Sequence, residues 1–419
     1  MQNLRQHGGR CVASDLLPRL LHTADWQIGK PFRWVEDQQK RSRLQQERIA
    51  MIARLAQLVE THQPEALLVA GDLFDSATVP TSTVLEVLEA LAAIACPVLV
   101  IPGNHDHGGA GGLWRREDVQ REMARRCPDL HLLVERQPVA VGALVVLPCP
   151  LLRQHESDSP TAWLECFDWS ALPADRVRVV LAHGSVQGFA AMDHDQVSAV
   201  EGRRSDSNRL RFEGVPAAEV DYFALGDWHA LHQVNQRCWY SGTPEPDRFP
   251  RSNDDQRGQV LLVELERGAT PEVTPLPTAA MAWHNERFHL RTRTDLDRFD
   301  AWLEARIGRR VGRDLLRLEL DGQLGLSDHQ ALEKRLEDLR LSLLHLRLRG
   351  HCHRRPEAAE LQALCERSDG PLIRAVAQRL NRSLEASDDP EAVARLETAL
   401  CELHRLCTQV SPAESPPCA

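Results

Sequence analysis

The sequence predicts an α/β chain: a layered α/β sandwich, then a small α+β domain and a helical C-terminal tail. Three observations carry that expectation. Short apolar runs alternate with stretches of helical spacing, the pattern of strands buried between layers. Polar motifs follow directly on several of those runs. After residues 268–280 (GATPEVTPLPTAA), which hold three prolines and no strong periodicity, the pattern restarts as a compact β-α-β-α-β unit. A length of 419 residues suits two or three domains rather than one core.

Taken in order, residues 1–18 read as a disordered leader without the sustained apolar core of a secretory signal. Residues 19–23 (RLLHT) form a short strand, and 37–61 a charge-rich helix. Residues 66–70 (ALLVA) are a continuous apolar run, as expected of a strand covered on both faces. Val84, Leu85, Leu88 and Leu91 give helical spacing within 81–95, and 97–101 is the next buried strand. Further strands are expected at 143–147, 177–182, 221–225 and 260–264, so that the first domain spans 19–270. The second, 281–350, has strands near 283–291, 314–320 and 342–348 with helices at 296–306 and 327–339. Residues 356–408 are helical in two pieces. The later helix starts at Ser387-Asp388-Asp389-Pro390-Glu391, capping residues before a proline and an acid. Val393, Leu396, Leu400, Leu403 and Cys407 then line one face. Residues 409–419 are a frayed tail.

Composition narrows the function. With 42% hydrophobic and 26% charged residues the chain reads as a soluble globular protein. Its apolar stretches are too short to cross a bilayer. The 11 cysteines include no C-x-x-C pair, which argues against a zinc ribbon and for reduced thiols in the cytoplasm. A net charge of −10 is unusual for a nucleic-acid binder, so any such role needs a local basic groove, bound metal or a partner.

The chemistry sits in five polar motifs: Asp25-Trp26-Gln27, Gly71-Asp72-Leu73-Phe74-Asp75, Gly103-Asn104-His105-Asp106, Ala182-His183-Gly184 and Gly226-Asp227-Trp228-His229. Each follows an apolar run and therefore belongs on a loop at the carboxyl end of a strand, where open α/β sheets place their sites. Aspartate, asparagine and histidine on separate loops supply the mixed oxygen and imidazole shell of a two-metal phosphoesterase centre. Any one motif is weak evidence; the ordered set is strong.

That order resembles the D-x-H, GD, GNHD, H, GHxH series of the calcineurin-like metallophosphoesterases. The wording HTADWQIGK, GDLFD, IPGNHD, DYFALGDWH and YSGTPE is similar to the SbcD-type DNA-repair exonuclease branch. The likeness runs by motif over residues 20–249 and continues more loosely into a capping domain. It implies a four-layer α/β/β/α sandwich and two divalent ions, Mn2+ first and Mg2+ second. Asp25 and His229 would hold the first ion, Asp72 would bridge, and Asn104 and His183 would hold the second. His105 would be the catalytic histidine, with Asp106 orienting it or its loop and Asp75 supporting the site from behind. Implied partners are DNA, an SMC-like ABC-type coiled-coil ATPase docked on the C-terminal helices, and a second copy in a homodimer, with no membrane.

The chain departs from the family pattern at two places. Gln27 stands for the histidine of D-x-H and would face the first ion; Asp227 stands for the first histidine of GHxH and would face the second. Both replace nitrogen with oxygen, which favours hard ions over zinc. Two rival readings follow: a small-substrate phosphodiesterase or nucleotidase, and a DNA-binding scaffold with a degenerate metal site. Trp26, Trp34, Trp114 and Trp228 could stack on bases, although tryptophans usually serve the core. Arg115, Arg116, Arg125, Arg126, Arg203, Arg204, Arg209 and Arg211 form basic runs that could meet phosphates.

Overall fold

The computed structural model describes residues 2–3, 17–186, 207–252, 254–308, 310–354, 358–368 and 370–409. Most of the expected leader, the expected tail from 410, and Arg203 and Arg204 lie outside the described residues. The chain divides into two units, Met1–Asn285 with Gly312–Leu315, and Glu286–Val311 with Leu316–Ala419.

Two large sheets frame the first unit, with a two-stranded pair, Ser185–Val186 and Arg209–Leu210, beside them. Five of their strands matter for the site: β1 (Arg19–Thr23), β2 (Ala66–Ala70), β3 (Val98–Ile101), β4 (Val177–His183) and β5 (Tyr222–Gly226). β1, β2 and β3 run parallel and in that order, with Leu130–Leu132 beyond β3. On the other side of β1, Gln259–Glu264 and then Glu272–Pro277 complete the sheet antiparallel. The second sheet has β4 and β5 parallel at its centre, flanked by Leu144–Cys149 and Cys238–Tyr240. Gln2–Asn3, inside the expected leader, pairs with Val139 and Ala140 at this sheet's edge.

The continuous apolar runs are explained by burial on both faces. In β2, Ala66, Leu68 and Ala70 face the core between the sheets, while Leu67 and Val69 face the helices. The helical layer is α1 (Gln38–His62), α2 (Thr81–Leu91) and α3 (Glu117–Arg126). Asp37 starts α1 by accepting Lys40 N–H at 3.0 Å, and Leu44, Arg48, Met51, Ile52, Leu55 and Val59 form its buried stripe. Burying each such aliphatic side chain is worth roughly 1.5–3 kcal/mol, an upper figure for a real unfolded chain. Beyond the second sheet, the outer layer among the described residues consists of short 3-10 turns, including Ala162–Leu164 and Trp169–Ala171, packed with Leu210, Val215 and Val220 on Val145, Leu147 and Val180.

His22 ties the sheets together. Its Nε2–H donates to Leu225 O at 3.1 Å, and its Nδ1 accepts Tyr222 O–H at 2.9 Å. Complete burial pushes this imidazole down to about 3, so it is neutral, and it serves the scaffold rather than the site.

The proline-bearing stretch read as a boundary carries the strand Glu272–Pro277. Pro275 and Pro277 are tolerated there because it is an edge strand with one paired side.

The strands Ala282–Leu290, Asp314–Leu324 and His345–Gly350 form a sheet in that order, of which residues 286–290, 316–324 and 345–350 belong to the second unit. Beside it lie α4 (Arg293–Arg306), started by a capping box between Thr292 and Asp295, and α5 (Leu326–Ser342). Leu290, Leu296, Phe299, Leu316, Leu318, Leu332 and Leu339 belong to its core. Three helices, not two pieces, follow: α6 (Ala358–Glu366), α7 (Pro371–Glu385) and α8 (Pro390–Gln409). Leu400 of the α8 stripe is buried, whereas Leu372 and Val376 of α7 are 77% and 40% exposed. No helix among the described residues is long and apolar enough to cross a membrane.

Candidate metal centre

The motif loops leave the carboxyl ends of β1 to β5, and backbone hydrogen bonds bind them to one another. Asp25 N–H donates to Gly71 O (3.1 Å), Gln27 N–H to Asp72 O (2.9 Å) and Gly184 N–H to Gly226 O (3.1 Å). Four site residues adopt left-handed backbone: Asp25 (φ 55°), Gln27 (43°), Asp72 (53°) and Asp227 (103°). Such conformations cost of order 1–3 kcal/mol each and persist where the surroundings over-determine them. The motif glycines allow the close approach. A Cβ on Gly71 would lie 2.2 Å from His183 Nδ1, and one on Gly103 would lie 2.1 Å from Asp72 Oδ1.

One half of the pocket is a basket of acceptors. Ligand atoms of Asp25, Asp72 and His183, all buried, lie within 4.8 Å of one another. His183 Nδ1 is 2.8 Å from Ala70 O and must carry the hydrogen there. Its Nε2 therefore faces Asn104 Oδ1 (2.8 Å), Asp72 Oδ1 (3.6 Å) and Asp227 Oδ1 (3.9 Å). Asp25 accepts Asp227 N–H at 3.1 Å, and Asp227 accepts Ser185 O–H at 2.8 Å. Among the described residues, no lysine or arginine pairs with Asp25, Asp72 or Asp227. Burial alone would lower the His183 imidazole, but Asp72, Asp25 and Asp227 outweigh it and push it up to about 9. Burial raises Asp25 to about 6. Such a set wants positive charge, either a proton on His183 or a divalent ion in its place, and its carboxylate, amide and imidazole donors fit such an ion.

The other half is different. Lys30 Nζ donates to Gln27 Oε1 (3.0 Å) and to Asp247 Oδ2 (2.9 Å). Gln27 Nε2 lies 3.2 Å from His229 Nε2, and His229 Nδ1 lies 2.9 Å from Asp247 Oδ2. Arg257 donates to the other oxygen of Asp247 at 2.6 Å. Against its burial, Lys30, His229 and Arg257 hold Asp247 well below the usual carboxylate range.

His105 stands at the mouth, about one-third exposed, with its N–H on Asp72 Oδ1 (2.9 Å) and its Nδ1 on Asp75 O (2.8 Å). Nε2 is thereby turned to the pocket, 3.9 Å from Asp72 Oδ2. The backbone carbonyl of Asp75 orients this ring. Asp106 instead ties loops: one oxygen accepts Gly103 N–H (2.8 Å), the other Phe74 N–H (3.2 Å). Burial raises its carboxyl to about 7.

Asp247, Arg257 and Ser185 have no counterpart in the motif reading, and Lys30, which closes the HTADWQIGK wording, has no role there; no local signal marks their functions. Arg48, buried inside α1, donates to the backbone oxygens of Trp26 (2.7 Å) and Glu245 (3.0 Å), which pins the first loop. Trp26 and Trp114 are core residues; Trp34 is 39% exposed in a cluster with Phe32, Phe249 and Trp283. Arg125 and Arg126 lie on α3 and pair with Glu122, while Arg116 pairs with Asp118.

The chain belongs to the calcineurin-like phosphoesterase family, whose model matches residues 18–256, and membership implies a divalent-metal site. It is 29% identical to the SbcD subunit of the SbcCD nuclease of Rhodobacter capsulatus over 293 residues, covering 62% of this chain and 69% of that protein. The SbcD subunit of Bacillus subtilis is 27% identical over 275 residues, covering 60% and 67%. DNA double-strand break repair protein Mre11 of Methanosarcina acetivorans is 26% identical over 275 residues, covering 62% of this chain and 39% of that protein.

Proposed function

We propose that this chain is a divalent-metal-dependent phosphodiesterase that cuts DNA, exo- or endonucleolytically, as the nuclease subunit of a double-strand-break repair complex. The carrying observation is the buried basket of Asp25, Asp72 and His183 with His105 Nε2 turned toward it. When bound, the metal supplies Lewis-acid polarisation of the phosphoryl group and a source of hydroxide near neutral pH. The chain's own contribution starts with His105. Its Nδ1–H rests on Asp75 O, so that as the imidazolium its Nε2–H would protonate the departing oxygen, leaving the neutral ring, or stabilise charge developing on it. Asp106 keeps Gly103 and Phe74 in register so that His105 stays in place.

The oxygen-rich donors favour Mn2+, with Mg2+ next. DNA and a coiled-coil ATPase are the partners that the likeness to SbcD and Mre11 and the helical tail support. The exposed Leu372 and Val376 of α7 are the apolar surface on which that ATPase would dock, and the chain is proposed to act in the cytoplasm as a homodimer.

The test is degradation of linear duplex and single-stranded DNA in Mn2+, with His105→Ala as control. Cleavage that disappears in the variant supports the reading. Hydrolysis of bis-p-nitrophenyl phosphate without DNA cleavage moves the assignment to small phosphodiesters. Loss of both leaves a DNA-binding scaffold.

A further inference from the structure

We propose that a closed ring of four side chains, Lys30, Gln27, His229 and Asp247, stands in place of the first metal ion, so that the pocket holds one divalent ion. The inference rests on the reading of the pocket as a metal-dependent phosphodiesterase and adds how many ions it takes.

Donor and acceptor roles around the ring are forced. An ammonium only donates, so the Gln27 atom 3.0 Å from Lys30 Nζ is the carbonyl oxygen, and the amide –NH2 faces the opposite way. A carboxylate only accepts, so His229 Nδ1, 2.9 Å from Asp247, carries the ring hydrogen. The Gln27 –NH2, which also reaches toward Asp72 Oδ2 at 3.5 Å, faces His229 Nε2 at 3.2 Å, so that nitrogen is the lone-pair atom and accepts from the amide. Lys30 closes the ring on Asp247 at 2.9 Å.

The consequence for an ion is direct. The imidazole nitrogen that would ligate it is engaged by Gln27, and Gln27 presents hydrogens where a ligand must present a lone pair. Turning the amide round to offer Oε1 would set its –NH2 against the Lys30 ammonium, donor against donor. Gln27 and Asp247 are 2% and 3% exposed, so bulk water does not readily replace these bonds. A dication beside Gln27 would also meet the Lys30 charge, while Asp247 is already shared between Lys30 and Arg257. Asp25 stands between the halves, close to both His229 and His183, and on the His183 side it accepts Asp227 N–H and groups with Asp72 and His183. The single ion belongs to Asp72, Asn104, His183 and Asp227, with Asp25.

The experiment counts ions. The full chain is stripped with chelator and saturated with Mn2+; bound metal is measured by equilibrium dialysis and its electronic environment by electron paramagnetic resonance. One Mn2+ per chain with the spectrum of an isolated ion is expected. The double variant Gln27→His with Lys30→Ala should take two, with the exchange-coupled spectrum of a close pair. Two coupled ions in the wild type would overturn the proposal and leave the phosphodiesterase reading intact; no bound Mn2+ would overturn both. A folded double variant that still takes one ion overturns the ring as the cause. The wild-type count stands by itself if the double variant misfolds.

Discussion

The two halves of the pocket stand on the same frame of strand-end loops and carry opposite electrostatic character. Around His183 the side chains are acceptors, Asp25, Asp72, Asn104 and Asp227, with no lysine or arginine paired to the carboxylates among the described residues. Around His229 they include Lys30 and Arg257, gathered on one carboxylate, Asp247. The lesson is that a metal motif specifies where ligands stand, while residues outside it set the sign of the space they surround. A single exchange, histidine to Gln27, matters because Lys30 is there to fix the amide's direction.

The sharpest way to break this comparison is to remove groups from the two halves and from the mouth. His105→Ala should lower phosphodiester hydrolysis by about 10²–10⁴-fold in steady-state assays, with the bound-metal count unchanged. Asp72→Ala should abolish both, since Asp72 faces His183 and carries the His105 amide. A variant at Asp72 that keeps its metal would place the ion elsewhere.

Next in size is a pH effect from groups in and around the acceptor half. Asp25 and Asp106 are raised from 3.8 to about 6 and about 7, and His183 from 6.5 to about 9. All three bind protons more tightly folded than unfolded. Their contribution to stability is therefore full below the unfolded values and is lost as pH rises through about 6, 7 and 9. Melting of the metal-free protein should drop between pH 6 and 9, by on the order of 3 kcal/mol from His183, and Mn2+ should cancel most of the drop. A metal-free melting temperature that is flat or rises over that window contradicts the assignment.

Gly103→Ala tests the frame itself. Its Cβ would lie 2.1 Å from Asp72 Oδ1 and 2.5 Å from Asp72 N, so about 1–3 kcal/mol of stability should be lost in denaturant titrations, together with metal affinity. The smallest effect belongs to the ring. Removing the carboxylate behind a metal-bound histidine ordinarily costs 10–100-fold in metal affinity. Asp247→Asn should instead change Mn2+ affinity by less than about tenfold, because His229 holds no ion. A larger loss, measured by calorimetry, would return His229 to the ligand set.

Much of the frame was legible in the sequence because each site loop follows a strand buried on both faces, and such strands read as unbroken apolar runs. Asp25, Asp72, Asn104, His183 and Asp227 stand together as their order implied, and Asp389 starts α8 by accepting Glu391 N–H at 3.1 Å. What escaped was pairwise and distant. Lys30 meets Asp247 across 217 residues, a separation at which no periodicity or spacing acts. Leu130–Leu132 and Val139–Val141 are too short to leave a pattern, and prolines disguised Glu272–Pro277. The role of Asp106 was half legible: its place in the motif is local, but its grip on Phe74 N–H joins two loops.

The comparison of halves is tested most directly by anomalous diffraction from crystals soaked in Mn2+. One peak among Asp72, Asn104, His183 and Asp227, with the Lys30–Gln27–His229–Asp247 ring intact beside it, is the predicted result. Two peaks ~3.5–4 Å apart, with Gln27 Oε1 and His229 Nε2 both turned to the ion on their side, would contradict it.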